Sequence, residues 1–217
     1  MNNDNRLGAP RWAWGLWISV TVISVVVAPH LPAHIPTHFG LNGQPNGYSS
    51  RWIALLMQPG SMLLILLGWD GLWRIDPRRS VYPAMAPTYR FVGGLIIGFL
   101  AVVQIFILLE AFHLVPWNGT RLVGALIGVM VVFLANVLPR VKPNWWIGIR
   151  TPWTLSNETV WRRTHQIGGR AGILAGLVLI LSNVALPTAW LGFVTVAVIG
   201  LWGIGLIAVS YWFYAHS

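Results

Sequence analysis

Three of the six histidines in this 217-residue chain, His30, His34 and His38, crowd into one segment, and a fourth, His113, follows Glu110 by three residues. Imidazoles and a carboxylate are a donor set for zinc or copper if the fold brings them together. A spacing of four would place the first three on one helical face. Pro32 and Pro36 stand between them, however, and a continuous helix is excluded. The zinc-protease pattern needs a glutamate directly after its first histidine; Ile35 follows His34, so that chemistry is excluded too. What remains is a metal site, zinc for preference, built from His34, His38, Glu110 and His113, or a cluster that senses acidity by protonation. A structural reading competes with it, in which the histidines hydrogen-bond loop carbonyls and Glu110 pairs with Arg121.

A second concentration lies in residues 139–170, rich in Pro, Gly, Trp and Arg. Ser156 is expected to cap a helix there, with Glu158 in its first turn opposing the helix dipole. The helix should be short, about ten residues, and should stop at Gly168-Gly169. Val160, Trp161 and Thr164 are expected to lie on lipid while Arg162 and Arg163 reach headgroups, which describes an interfacial helix. Two uses suit it. One is a basic, Trp-rich membrane anchor. The other is a docking surface for a protein partner, carried by Arg150, Trp153, Glu158, Trp161, Arg162, Thr164 and His165.

The elements that must position these residues are membrane spans. Only 9% of the chain is charged and 56% is hydrophobic, with a mean hydropathy of +0.66. Soluble domains carry about a quarter charged residues. Six apolar runs recur, at 12–28, 52–69, 91–112, 122–138, 171–186 and 190–213, each near the length a helix needs to cross hydrocarbon. Gln58-Pro59-Gly60 should kink the second helix without dividing it. Pro187-Thr188-Ala189 leaves room only for a tight hairpin between the last two. The expected fold is an all-α integral membrane protein of six helices, one domain over 1–217, with a long outer loop at 29–51 and a long inner loop at 139–170. Asn42-Gly43 and Asn46-Gly47 predict turns in the outer loop.

Charge sets the orientation. With the N-terminus in the cytoplasm, twelve of the fourteen basic residues fall inside and only Arg51 and Arg121 fall outside, as the positive-inside rule requires. Both termini are then cytoplasmic. The net charge of +9 therefore faces anionic lipid, and no direct nucleic-acid partner is expected. Arg6 and Arg11 before the first run resemble a signal peptide, but Pro29 after Val26-Val27-Ala28 disfavours cleavage, so an uncleaved helix is expected. The spans hold few polar groups (Gln58, Gln104, Asn136, Asn183) and no mid-span ionisable one, which disfavours a proton-coupled pump. The chain has no cysteine, hence no thiol chemistry. With no catalytic triad, phosphate loop or paired carboxylates, an enzyme is not expected.

Both long loops resemble a known family. Leu31-Pro-x-His-Ile-Pro-Thr-His-Phe-Gly-x-Asn-Gly-Gln-Pro-Asn-Gly-Tyr48 is similar to an outer-loop domain of unknown function found in bacterial SdpI-type membrane proteins. Lys142-Pro-Asn-x-x-Ile-Gly-Ile-Arg-Thr-Pro-Trp-Thr-Leu-Ser-x-Glu-x-Val-Trp-x-x-Thr-His-x-x-Gly-Gly169 resembles the SdpI-family signature. The resemblance implies a multi-pass immunity protein of the bacterial inner membrane, protecting its producer from a secreted, membrane-active peptide toxin. It also implies signalling, with a small repressor held at the inner face. Asn46 stands where the family's turn carries an aspartate, so a carboxylate is lost. Transport, or metal or pH sensing through the outer histidines, is the alternative function.

Single cysteines placed at Asn42 and Asn157 are expected to react with impermeant reagents from opposite sides of the membrane. Labelling of both from one side overturns the six-span arrangement.

Overall fold

The computed structural model describes residues 7–41, 45–112, 114 and 119–217. Six of its helices are long and apolar enough to cross a membrane: α1 (Arg11–Val27), α2 (Arg51–Leu72), α3 (Ala86–Ala111), α4 (Gly119–Val137), α6 (Glu158–Ala185) and α7 (Thr188–Ala215). A five-residue helix, α5 (Pro152–Ser156), precedes α6. Between α1 and α2 two strands, β1 (His34–Phe39) and β2 (Pro45–Ser50), pair antiparallel. This hairpin and the 139–157 segment occupy opposite ends of the bundle.

Helices α1, α2 and α3 form one packed group, with Ala13, Val20, Met62, Leu66, Ile97 and Ala101 at its centre. Its polar contacts follow from Pro59. Proline has no N–H, so the Leu55 carbonyl one turn earlier lacks its helical donor. The fully buried Gln104 of α3 supplies one, its Nε2 donating to that carbonyl at 3.2 Å and to Ser24 Oγ of α1 at 2.9 Å. Trp17 Nε1 donates to the Pro59 carbonyl at 2.9 Å. The expected single helix through Pro59 is found, and one buried amide ties three helices at the break. Side-chain amides serve this purpose in lipid, where no water can substitute.

The other half, α4, α6 and α7, is held by small residues. A Cβ on Gly176 would sit 2.6 Å from the Gly128 carbonyl oxygen, and one on Gly128 would sit 2.8 Å from that of Gly176. Gly169 and Gly172 approach Ala135 as closely, at 2.8 and 2.7 Å. Backbone therefore lies on backbone along α4 and α6, as close helix packing in membranes requires. This overturns the expected stop at Gly168-Gly169. Glycine ends a helix only where the backbone turns left-handed; here both residues stay helical and are buried, and α6 continues unbroken to Ala185. The expected short interfacial helix is the first three turns of a 28-residue helix. Its cap is Asn157, not Ser156: Asn157 Oδ1 accepts from the Thr159 and Val160 N–H groups at 2.8 and 3.1 Å. The hairpin predicted at Pro187 is present, with Pro187 preceding α7.

The outer loop differs as well. Asn46-Gly47 does not form the expected turn but lies within β2, where Gly47 pairs with His38 at a register shift. The pair closes without a bulky Cβ, since one on Gly47 would meet His38 Cβ at 3.0 Å. Asn42-Gly43 lies outside the described residues. Both basic residues that the orientation leaves outside are tied to helix ends. Arg51 donates to the carbonyls of Pro29 and Leu31, at 3.0 and 2.7 Å, just beyond α1. Arg121 donates to Asn183 and Leu186 at the end of α6, at 2.7 and 2.8 Å. A guanidinium there satisfies orphan carbonyls and opposes the negative pole of the helix.

Gly176→Leu is expected to separate α4 from α6 and to lower stability in detergent by about 1–3 kcal/mol, the usual cost of overpacking. Gly203, whose absent side chain faces open space, is the control: Gly203→Ala is expected to leave the thermal midpoint unchanged. Equal effects of the two substitutions refute the seam.

Candidate functional site: a locked loop at the charged end

The signature segment is held by two buried polar side chains. Asn144, fully buried, uses every group it has. Its Oδ1 accepts from the Trp146 and Ile147 N–H groups at 2.8 and 2.7 Å; its Nδ2 donates to the Lys142 and Ile147 carbonyls at 2.8 and 2.9 Å. Asp76, in the connection between α2 and α3, is 2% exposed. It accepts from the Arg78 N–H at 2.7 Å, the Trp145 N–H at 2.9 Å and the Tyr82 hydroxyl at 2.7 Å. Burial first, then the bond to Asp76, drives the Tyr82 phenol well above its ordinary pKa, so it stays a donor. The two connections are thereby joined into one body, and Arg78 adds a 2.7 Å bond to the Leu155 carbonyl.

Gly148 has φ +113, where a side chain is strained, and a Cβ there would strike His165 Nε2. That close approach lets the Ile149 N–H donate to His165 Nε2 at 2.9 Å. The Nδ1 of the same ring donates to the Trp161 carbonyl at 2.8 Å, so the imidazole is neutral with its proton on Nδ1. Trp161 stacks on that ring at 4.1 Å and donates through Nε1 to the Val141 carbonyl at 2.9 Å. Thr151 caps α5 in a reciprocal box with Thr154 and reaches Ser210 of α7 at 3.1 Å.

These contacts sort the seven residues of the docking reading. Trp161, Thr164 and His165 are buried, and Trp161 and His165 hold the loop's shape. Val160 is buried with them, so the expectation that Val160, Trp161 and Thr164 lie on lipid is overturned: that face of α6 packs on protein, around Val137, Val141 and Tyr82. Arg150, Glu158 and Arg162 are exposed, and Trp153 is half-buried against Tyr211 at 5.1 Å. Arg150 donates to the Trp145 carbonyl. Arg163 lies over the Phe213 ring at 5.8 Å. The exposed side chains of this segment and of the start of α6 are largely basic and aromatic, among them Arg140, Lys142, Arg150, Arg162 and Arg170 and the rings of Trp145 and Trp146. Sequence reading missed Asp76, Tyr82 and Asn144. An aspartate one residue from a proline in a short basic connection is a signal for a turn, and nothing in its spacing announces a partner sixty-nine residues away.

At the other end, His34 and Glu110 line one cavity of about 660 Å³ beneath the hairpin, with Ile35, Phe106, Thr120 and Leu191 among its walls. His38 hydrogen-bonds Asn46 across the hairpin. Among the described residues no group of three His, Cys, Asp or Glu side chains converges to hold a metal. His113 lies outside them. Arg121 is placed on the α6 carbonyls.

Asp76→Ala leaves the Arg78 and Trp145 N–H groups without an acceptor and the Tyr82 hydroxyl with only its 3.4 Å contact to Asn144 Oδ1, at about 1–3 kcal/mol for each donor that stays buried and unpaired. Amide exchange across 143–150 is expected to accelerate while the long helices keep their protection. Unchanged exchange there refutes the lock.

Comparison with known proteins agrees with this division of the chain. Residues 140–210, spanning the locked loop and helices α5 to α7, match the SdpI/YfhL protein family. Residues 15–63, spanning the hairpin and most of the helices that flank it, match a domain of unknown function, DUF1648. The immunity protein SdpI of Bacillus subtilis (strain 168) is 24% identical over 156 residues, 72% of each chain. No solved structure matches. Both segments that resembled the SdpI family by sequence are thus matched in place, and the chain is a membrane protein similar to that family over most of its length.

Proposed function

We propose that this chain is a multi-pass immunity protein of the bacterial inner membrane, a binding protein and not a catalyst, which protects its cell against a secreted, membrane-active peptide. The observation that carries the reading is the similarity to an immunity protein across 72% of both chains. The orientation belongs to the same proposal. Termini and basic loop face the cytoplasm, and the hairpin faces the toxin. Two features support a division of labour between the ends. The hairpin overlies an apolar cavity with a few polar groups, suited to a peptide's apolar side chains. The locked loop presents a fixed basic and aromatic surface, suited to a small cytoplasmic repressor, because a rigid surface loses little entropy on binding.

A second reading, sensing of zinc or protons, is favoured by one observation: His34 and Glu110 share a cavity. The same assay separates the two. A sensitive bacterium expressing the chain is expected to survive one member of a panel of membrane-active peptides that kills the parent, with or without a zinc chelator. Arg162→Glu is expected to abolish recruitment of the cytoplasmic partner while membrane insertion is retained, since that side chain is exposed at the rim. Survival that matches the parent's for every peptide defeats the immunity reading; protection lost on chelation transfers the role to the metal.

A further inference from the structure

A groove of about 850 Å³ opens on the outside of the bundle between α1, α3 and α4, within the range of about 300–1,000 Å³ usual for ligand clefts. Its walls are apolar: Phe91, Leu95 and Phe99 of α3 face Val129, Met130 and Phe133 of α4. The basic lining residues, Arg11 and Arg90, lie at one end, with Pro10 and Pro87. Each arginine sits in the first or second turn of its helix, Arg11 on α1 and Arg90 on α3, and the two helices start at this end of the bundle. Neither first turn holds an acidic residue or a side-chain cap, so the positive pole of each helix adds to the guanidiniums. Asp70, the acid near this mouth, is engaged by the Ala9 N–H at 2.7 Å.

Two glycines of α3 show how the groove is shaped. Beside Gly94 the protein fills the gap itself, for a Cβ there would meet Trp12 at 2.6 Å and Pro10 at 3.0 Å. One turn further on, Gly98 also lines the groove, and its absent Cβ would meet nothing within 4 Å. The small residue at 98 therefore serves no close approach of helices. It keeps space open beneath a doubly basic mouth.

We infer that this groove holds one anionic phospholipid, its chains along α3 and α4 and its phosphate at Arg11 and Arg90. Charge complementarity selects the occupant. A zwitterionic lipid fills the apolar part equally well but brings its own cation to the two guanidiniums, whereas a headgroup of net negative charge does not. Basic clefts between spanning helices take acidic lipids for this reason.

The test uses the purified full chain in mild detergent, offered equal phosphatidylglycerol and phosphatidylethanolamine, with bound lipid counted by native mass spectrometry. One phosphatidylglycerol per chain is expected, preferred by about tenfold. Paired Arg11→Gln and Arg90→Gln substitutions are expected to erase the preference while apolar binding remains. Gly98→Leu, which fills the groove with both charges in place, is expected to expel either lipid, and its unchanged thermal midpoint confirms a folded chain. Water-soluble glycerol phosphate is expected not to compete. Equal retention of the two lipids by the parent chain overturns the inference. So does a parental preference in either variant, or displacement by glycerol phosphate, which reassigns the mouth to free phosphate.

Discussion

The contact on which the C-terminal half depends is the approach of two helix backbones, α4 and α6, through Gly128 and Gly176. In hydrocarbon there is no hydrophobic gain from putting one apolar helix against another, since lipid tails solvate leucine as well as a neighbour does. What remains is dispersion between closely matched surfaces, and that grows as side chains are removed from the seam. Gly128, Ala135, Gly169, Gly172 and Gly176 remove them. Part of the charged side then hangs from α6. Its first turns carry Trp161 and His165 inward, and these in turn fix Val141 and Ile149.

The N-terminal half uses another device. Pro59 breaks a hydrogen bond inside α2, and Gln104 repairs it from α3 while also holding Ser24 of α1. One half is fastened by the absence of side chains, the other by a single buried amide. Both avoid buried charge, which is costly at that depth. The buried carboxylate, Asp76, lies outside the six candidate spans, in a connection where backbone N–H groups and a phenol surround it.

Hydropathy made the spans legible, because a run of about twenty apolar residues has one dominant use. The long pairings were not legible. Gly168-Gly169 has the same composition whether it stops a helix or packs one, and only the partner helix decides. Asn46-Gly47 is a turn signal that β1 overrides by pairing with it. The histidine spacing in the outer loop suggested convergence, yet the structure turns His38 to Asn46 and sets His34 with Glu110 at a cavity wall. Motif resemblance carried further than spacing did, since it located both loops. It could not say that half of the signature points inward.

Asp76 and Asn144 grip the loop at residues 145 to 147 through main-chain groups alone. The rings of Trp145 and Trp146 take no part in that grip and stand 47% and 38% exposed. Shape and surface chemistry at this bend are thus separate variables: the side chains at 145 and 146 can be exchanged without loosening a bond that sets the fold. Drift at two positions alters the chemistry that the bend exposes, while the chassis beneath it is inherited intact.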